Sequence, residues 1–206
     1  TSTQGVVVNL ANNTAADGLG GTDTLAGFES VSGGSGTDMI TGDSGANLLE
    51  GNAGQDTIDG GAGDDILSGG VGGDSILGGA GNDVLLGGTD DDWLKGGVGN
   101  DNLVGGDGTH DTADFSDATA SVTIQLNNGA GTATSTQAGG TGTDTLSGIE
   151  NLVGGSAGDT LGGDASDNLI AGGDGADSIQ AGSGSDTIKG GAGNDTYVVD
   201  ISADTV

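Results

Sequence analysis

Residues 60–86 read GGAGDDILS-GGVGGDSIL-GGAGNDVLL, three copies of one nine-residue unit (a nonad) without an insertion. Glycine occupies positions 1, 2 and 4 of each copy, and the second copy has an additional glycine, Gly73, at position 5. Aspartate occupies position 6 and an aliphatic residue occupies position 8. One apolar residue in nine cannot form an amphipathic helix, which needs three or four in two turns. A short strand with its middle side chain inward, followed by a six-residue turn, fits the period. Two nonads then make one 18-residue coil, and stacked coils bury the position-8 side chains in a row.

The nonad extends over much of the chain. Eight consecutive copies span residues 33–104, and a ninth begins at Gly105 and loses its register near His110. Five further copies span residues 154–198. The predicted fold is therefore all-β: a parallel β-solenoid built from 18-residue coils. This pattern leaves open whether the two arrays form one stack or two lobes.

The segments outside the arrays also resemble each other, because the sequence TDTL occurs at residues 22–25 and again at 143–146. This internal similarity predicts a tandem duplication of the solenoid. The first copy covers residues 1–113, with a strand-rich cap over 1–32 and nonads over 33–113. The second copy covers residues 114–206, with a linker or cap over 114–153 and nonads over 154–198.

The composition restricts the class of partner. The 206 residues include 49 Gly, no Pro and no Cys, and 31 acidic residues against two basic ones give a net charge of −29. A chain of this charge and modest hydrophobicity stays unfolded unless its charge is neutralised, and it is repelled by nucleic acid and by anionic lipid. The sequence contains no apolar run of membrane-spanning length. We expect a cationic partner, no nucleic acid and no membrane span.

The Gly-Gly-x-Gly-x-Asp turn offers two kinds of oxygen ligand, the aspartate carboxylate and the backbone carbonyls. Mixed oxygen shells of six or more ligands suit Ca²⁺, whereas Mg²⁺ requires stricter octahedral geometry and keeps its waters. Zinc is disfavoured, since the chain has no Cys and a single His. The repeated turn therefore predicts bound calcium.

In their pattern GGxGxDxUx, the nonads resemble the glycine-rich Ca²⁺-binding repeats of the RTX (repeats-in-toxin) family of secreted bacterial proteins. The resemblance implies a right-handed parallel β-roll (β-solenoid) of 18-residue coils. In this fold, turns 18 residues apart on the same edge share an ion, about ten ions in all. The implied side-chain ligands on one edge of the first array are Asp38, Asp56, Asp74 and Asp92, with Asp111 as a further one where the ninth nonad slips. The implied ligands on the other edge are Asp65, Asp83 and Asp101, with the uncharged Asn47 at its start.

In the second array the resemblance implies Asp159, Asp177 and Asp195 on one edge, and Asn168 with Asp186 on the other. Backbone carbonyls of the turns would complete the shells, among them those of Gly51, Gly60, Gly61, Gly63, Gly69, Gly70, Gly72, Gly78, Gly79, Gly81, Gly172, Gly173, Gly190 and Gly191. We expect sites that involve residues 154–171 to be weaker or empty, because Asn168 brings no charge and Ala157 and Ser166 replace the position-4 glycine.

The resemblance implies a secreted, extracellular or cell-surface module of a larger bacterial protein, exported by type I secretion and folded by Ca²⁺ outside the cell. Such a module acts as a folding switch and scaffold for the rest of the parent chain. The alternative is an adhesive or polysaccharide-binding module of a surface adhesin or an extracellular carbohydrate-active enzyme. An enzymatic role is disfavoured, since the chain has neither H-E-x-x-H nor G-x-S-x-G.

Some outward positions do not fit a uniformly polar surface. Leu48, Ile66 and Val84 repeat at 18-residue spacing on one flank. We expect this apolar flank to pack against residues 114–150 or the second array. Trp93 is expected to be an exposed surface side chain, and His110 an exposed loop histidine.

Overall fold

The computed structural model describes residues 4–137, 140–199 and 204–206. Residues 1–3, 138–139 and 200–203, which belong to the predicted first cap, the predicted linker and the end of the second copy, lie outside the described residues. The described residues form 22 β-strands and no helix. The strands are β1 (Val7–Asn9), β2 (Thr14–Ala16), β3 (Asp23–Thr24), β4 (Ser30–Ser32), β5 (Met39–Thr41), β6 (Leu48–Ala53), β7 (Thr57–Ala62), β8 (Ile66–Val71), β9 (Ser75–Ala80), β10 (Val84–Thr89), β11 (Trp93–Val98), β12 (Asn102–Asp107), β13 (Thr112–Asp114), β14 (Val122–Gln125), β15 (Gly131–Gln137), β16 (Gly140–Ser147), β17 (Asn151–Val153), β18 (Thr160–Gly162), β19 (Leu169–Asp174), β20 (Ser178–Gln180), β21 (Thr187–Ala192) and β22 (Thr196–Val198).

The strands form two sheets of 11 strands each. The first sheet has the order β21-β19-β17-β13-β11-β9-β7-β5-β1-β2-β3, and the second β22-β20-β18-β14-β15-β16-β12-β10-β8-β6-β4. Within the arrays, successive strands alternate between the sheets, and parallel neighbours are 18 residues apart, as in the pairing of Leu67 with Leu85 and of Leu85 with Leu103. The predicted parallel β-roll of 18-residue coils is confirmed.

The core lies between the two sheets and consists mainly of the position-8 side chains. Because side chains alternate across a strand, position 8 points inward while positions 7 and 9 point outward. The fully or almost fully buried members of this row are Ile40, Leu49, Ile58, Leu67, Ile76, Leu85, Leu94, Leu103, Leu161, Ile170, Ile179 and Ile188. Tyr197, the last member, is only partly buried against the same core.

Adjacent leucines on β10 allow a matched test of this core. Leu85 is completely buried, whereas Leu86 keeps 36% of its surface exposed. We expect Leu85→Ala to lower the free energy of unfolding in calcium by about 2–5 kcal/mol, because the cavity lies between coils that cannot collapse onto it. Leu86→Ala should cost about 0.5 kcal/mol or less. Urea unfolding followed by circular dichroism measures both values, and equal losses would contradict the assigned orientation.

The two arrays form one continuous stack, which answers the question that the sequence leaves open. In the first sheet, β13 pairs in parallel with β11 and with β17. In the second sheet, the antiparallel strands β16, β15 and β14 are inserted between β12 and β18. At the N-terminal end, β1 pairs in parallel with β5 and in antiparallel with β2. The division into two copies at residue 113 remains a prediction, since both sheets run across it.

The expected packing of the apolar flank was wrong. Leu48 and Ile66 keep 41% and 48% of their surface exposed, so neither side chain is covered by the segment 114–150 or by the second array. The reason is topological: the described parts of both segments add strands to the ends of the existing sheets and so extend the stack. Leu48 and Ile66 therefore stay exposed, whereas Val84 on the same flank is half-buried.

Candidate metal sites

Two rows of position-6 side chains line the two edges of the stack, where the chain turns from one sheet into the other. Apart from Asp195, all the position-6 side chains in these two rows are buried. Preceding the strands of the first sheet lie Asp38, Asp56, Asp74, Asp92, Asp111, Asn168 and Asp186. Preceding the strands of the second sheet lie Asn47, Asp65, Asp83, Asp101, Asp159 and Asp177, followed by the partly buried Asp195.

One oxygen of each carboxylate joins neighbouring coils. The backbone N–H of Asp56 donates to Oδ1 of Asp74 at 2.7 Å, and the N–H of Asp74 donates to Oδ1 of Asp92 at 2.8 Å. On the other edge, the N–H of Asp65 donates to Oδ1 of Asp83 at 2.8 Å. Each carboxylate therefore holds the coil that precedes it in sequence.

The second oxygen of most of these carboxylates is buried and accepts no hydrogen bond. This holds for Oδ2 of Asp56, Asp65, Asp74, Asp83, Asp92, Asp101, Asp111 and Asp177. A buried carboxylate oxygen without a partner is costly, and a native protein normally satisfies it with a donor or a cation. A row of such oxygens fits a row of bound cations.

The turn glycines leave room for these oxygens. A Cβ built on Gly51 would collide with Oδ2 of Asp56, and it would lie 2.8 Å from the carbonyl oxygen of Gly69 in the next coil. The same arrangement recurs at Gly60. Carboxylate and carbonyl oxygens thus converge beside Gly51 and Gly60, and this hard oxygen environment is the kind that Ca²⁺ prefers.

Most turns adopt a conformation with positive φ at positions 2 and 4, which we call an open turn. In the turn that begins at Gly69, the φ values of Gly70 and Gly72 are +114° and +118°. Glycine is needed here because the left-handed region is unfavourable for other residues, although Asn52 and Asp90 also adopt it. Open turns begin at residues 51, 60, 69, 78, 87, 96, 172, 181 and 190.

Four turns, which begin at residues 33, 42, 154 and 163, have no residue at positive φ. In these closed turns, the backbone N–H at position 2 donates to the position-6 side chain of the same turn. The four pairs are Gly34–Asp38 at 2.6 Å, Asp43–Asn47 at 2.8 Å, Gly155–Asp159 at 2.7 Å and Asp164–Asn168 at 2.9 Å. The side-chain oxygen that lacks a partner in most open turns is satisfied by the backbone in a closed turn.

Each closed turn is the first nonad turn on its edge of its array. The coil before it contributes a non-repeat segment, so that the N–H of Val6 donates to Asp38 at 2.7 Å and that of Val122 to Asp159 at 2.8 Å. An open turn stacks instead on a preceding turn, as where the N–H of Ala62 donates to the carbonyl of Asp43 at 3.0 Å. We infer that stacking of turn on turn favours the open conformation.

The electrostatics of the rows also favour a cation. Burial raises the pKa of Asp74, Asp83 and Asp101 to about 6, and that of Asp92 to about 7. Neighbouring carboxylates raise the pKa further, as Asp74 does for Asp92. The loss of water and the surrounding negative charges both destabilise the ionised carboxylates, and a bound cation would offset both effects.

Three further acidic residues continue the rows and were missed by the sequence analysis. Oδ1 of Asp144 accepts the N–H of Asp101 at 2.9 Å, and Leu146 pairs with Leu103. The signal was present, since residues 139–147 read GGTGTDTLS, a complete nonad displaced from its array by the inserted segment. Oδ1 of Asp204 accepts the N–H of Asp186 at 3.2 Å, and its signal was the 18-residue spacing.

The third missed residue, Glu150, lies where the arrays join. Its Oε2 accepts a hydrogen bond from the backbone N–H of Asp111 at 3.1 Å, and its backbone carbonyl accepts one from Nδ2 of Asn168 at 2.6 Å. A glutamate thus takes the place of the position-6 aspartate for one coil. No nonad surrounds it, so the sequence carried no signal for this role.

The other chemically notable residues lie outside the two rows of ligands. His110 is exposed, as expected, with Nδ1 3.5 Å from Oδ2 of Asp91. The hydroxyl of Tyr197 donates to Oδ2 of Asp195 at 3.4 Å. Among the described residues, no three His, Cys, Asp or Glu side chains converge on one point, so backbone carbonyls would have to supply most ligands of any bound ion.

Stacked coils with acidic, glycine-rich turns define the class of the metal-binding β-solenoids. The chain matches the RTX calcium-binding nonapeptide repeat (4 copies) over residues 26–49, 32–67, 41–76, 77–109, 145–179 and 172–206, and it belongs to this family. Its repeats are therefore a structural calcium-binding module. In a comparison with curated proteins, none matches the chain. Within the part of the chain that the structure describes, no helix has the length and hydropathy to cross a membrane.

Proposed function

We propose that this chain is a folding switch: a β-roll module that folds when Ca²⁺ binds after secretion, and that serves as a scaffold for a larger extracellular bacterial protein. The observation that supports this most directly is the row of buried carboxylate oxygens without a partner. The membership in a family typical of secreted bacterial proteins supports calcium as the ion and the extracellular space as the location.

The open turns would hold the ions. In each of them Oδ2 of the position-6 aspartate would bind the ion together with carbonyl oxygens of turns on the same edge. About ten ions would offset about 20 of the 29 negative charges, so that the free energy of binding becomes free energy of folding. The closed turns, including those of Asn47 and Asn168, would bind weakly, because their own backbone already satisfies the side-chain oxygen.

A calcium titration tests the switch. Far-UV circular dichroism and sedimentation are measured on the chelated chain and at rising CaCl₂, with MgCl₂ as the matched control. We expect an expanded, largely unordered chelated chain and a cooperative gain of sheet between about 10⁻⁴ and 10⁻³ M Ca²⁺, the range of extracellular modules. Mg²⁺ should have little effect. A chelated chain as compact and as rich in sheet as the loaded one would refute the proposal.

Substitutions in the two kinds of turn are expected to differ in the number of ions bound. Asp74→Asn removes the charge from an open turn whose Oδ2 has no partner, so equilibrium dialysis should find fewer bound ions, and the Ca²⁺ midpoint should rise about threefold or more. In Asp38→Asn the affected oxygen already accepts the N–H of Gly34, so the ion count should stay unchanged. An equal loss of ions in both variants would contradict the distinction between open and closed turns.

A polysaccharide-binding function is favoured by a different observation, the exposed side chain of Trp93 beside a polar groove. This groove lies along one edge of the first sheet and is lined by residues at positions 5, 6 and 7, among them the proposed calcium ligands Asp56, Asp74 and Asp92. Sugar binding there would act in addition to the calcium-dependent fold, and it requires that the coils be stacked.

A further inference from the structure

Trp93 is the only tryptophan of the chain, and it is fixed in place although it lies at the surface. Its side chain points outward from β11 and keeps 43% of its surface exposed. The indole N–H donates to Oδ2 of Asp114 on the adjacent strand at 2.9 Å. An exposed aromatic ring that is already held in one position loses little conformational entropy when a ligand binds to it.

The residue that holds Trp93 is itself held from two sides. Asp114 is buried, its Oδ1 accepts the backbone N–H of Ser116 at 2.7 Å, and Nζ of Lys95 lies 3.7 Å from its Oδ2. Lys95 also donates to the Ser116 hydroxyl at 2.9 Å and lies 3.6 Å from Oδ1 of Asp117. Lys95, one of the two basic residues of the chain, thus helps to hold Asp114 in place.

Trp93 closes one side of a groove of about 460 Å³ that crosses neighbouring coils. In the first sheet, Ser75 lies directly opposite Trp93 on the adjacent strand, and Thr57 lies opposite Ser75 on the strand after that. Gln55 and Asp91 line the groove from the turns. His110 and the position-6 residues Asp56, Asp74 and Asp92, which the proposed function assigns to calcium, line it as well. The groove therefore presents one aromatic surface beside hydroxyl, amide and carboxylate groups, in a direction along the axis of the stack.

We infer that this groove binds a neutral oligosaccharide that lies along the stack axis with one sugar ring against Trp93. A sugar ring has an apolar face that packs on an aromatic surface and hydroxyl groups that pair with side chains such as those of Gln55 and Asp91. Successive coils are about 4.8 Å apart, so one coil after another can contact successive units of an extended chain. An acidic oligosaccharide is disfavoured because the chain stays negatively charged even when about ten ions offset about 20 of its 29 negative charges.

The experiment uses the full chain in millimolar CaCl₂, with its sheet content verified by circular dichroism. This check separates a failure of the groove from a failure of calcium-dependent folding. Linear hexasaccharides of glucose, xylose, mannose and galactose are titrated while the fluorescence of Trp93 is followed, and affinities are measured by calorimetry. Oligogalacturonate and a basic decapeptide serve as the acidic and the cationic comparison.

We expect a saturable fluorescence change with at least one neutral hexasaccharide, unaffected by 0.5 M NaCl. Trp93→Ala should weaken its binding about tenfold or more, while Trp93→Tyr stays within about threefold. Leu48→Ala, which removes an exposed side chain from the outer face of the other sheet, should bind like the unaltered chain. The inference fails if no neutral sugar binds, if Trp93→Ala binds equally well, or if only the charged comparison ligands bind.

Discussion

Acidification is expected to restore sheet to the chelated chain. In an unfolded chain aspartate has a pKa of about 3.9, whereas burial raises the pKa of Asp74, Asp83 and Asp101 to about 6 and that of Asp92 to about 7 in the fold. Between about pH 4 and pH 7 the metal-free fold therefore binds more protons than the unfolded chain. Its stability falls as the pH rises through this window and increases as the pH is lowered.

The measurement is a pH titration of the chelated chain from pH 7.5 to about pH 5, followed by far-UV circular dichroism. We expect the sheet signal to rise as the pH falls, with a midpoint near the raised pKa values. The same titration in millimolar CaCl₂ is the control, and there the sheet signal should stay constant. A chelated chain that stays unordered at pH 5 would mean that the two rows of carboxylates are not what prevents folding at neutral pH.

A single methyl group added to an open turn should greatly lower the stability of the calcium-loaded fold. In Gly72→Ala the new Cβ would collide with the carbonyl oxygen of Gly54, a backbone atom that cannot move without displacing its coil. Alanine is also unfavourable at the φ of +118° that this residue adopts. We expect a loss of about 3 kcal/mol or more in the free energy of unfolding at saturating calcium, and a higher calcium midpoint.

Gly45→Ala is the matched control, since Gly45 also occupies position 4 but belongs to a closed turn. Its φ is not positive, and a Cβ there would meet only Oδ1 of Asp43 at 3.4 Å. This variant should be neutral or stabilising by up to about 1 kcal/mol, because alanine restricts the unfolded chain. Urea unfolding compares the two variants, and similar losses in both would show that open and closed turns do not differ in this way.

The nonad predicted the repeated part of the fold because each position has one physical task. Position 8 must be apolar to fill the space between the sheets, and Leu67 and Leu85 are completely buried there. Position 6 must carry an acceptor for the backbone N–H of the preceding coil, as Asp92 does for Asp74. A strict period of nine therefore determines the strands, the core and both rows of acidic side chains.

The turn conformations, the role of Glu150 and the exposure of the apolar flank depend on which segments stack on each other. A nine-residue period in the sequence does not predict that stacking. Gly34 and Gly70 occupy the same position in nearly identical turns, yet Gly70 has positive φ and Gly34 does not, because only the turn of Gly70 lies on another nonad turn. Glu150 reaches the row only because an inserted segment brings it beside Asp111. The exposed Leu48 shows the same limit, since its uncovered position follows from where the second array was added.

The direction of the bonds between coils determines where this protein can be divided. Every position-6 carboxylate needs an amide donor from the chain segment before it, and for the first carboxylate of each array that donor is Val6 or Val122. A fragment that begins at Gly33 or Gly154 would lack this donor, and its first carboxylate would keep only the N–H of Gly34 or Gly155 in its own turn. Engineered chimaeras should therefore keep the short leading segment together with the repeats it starts.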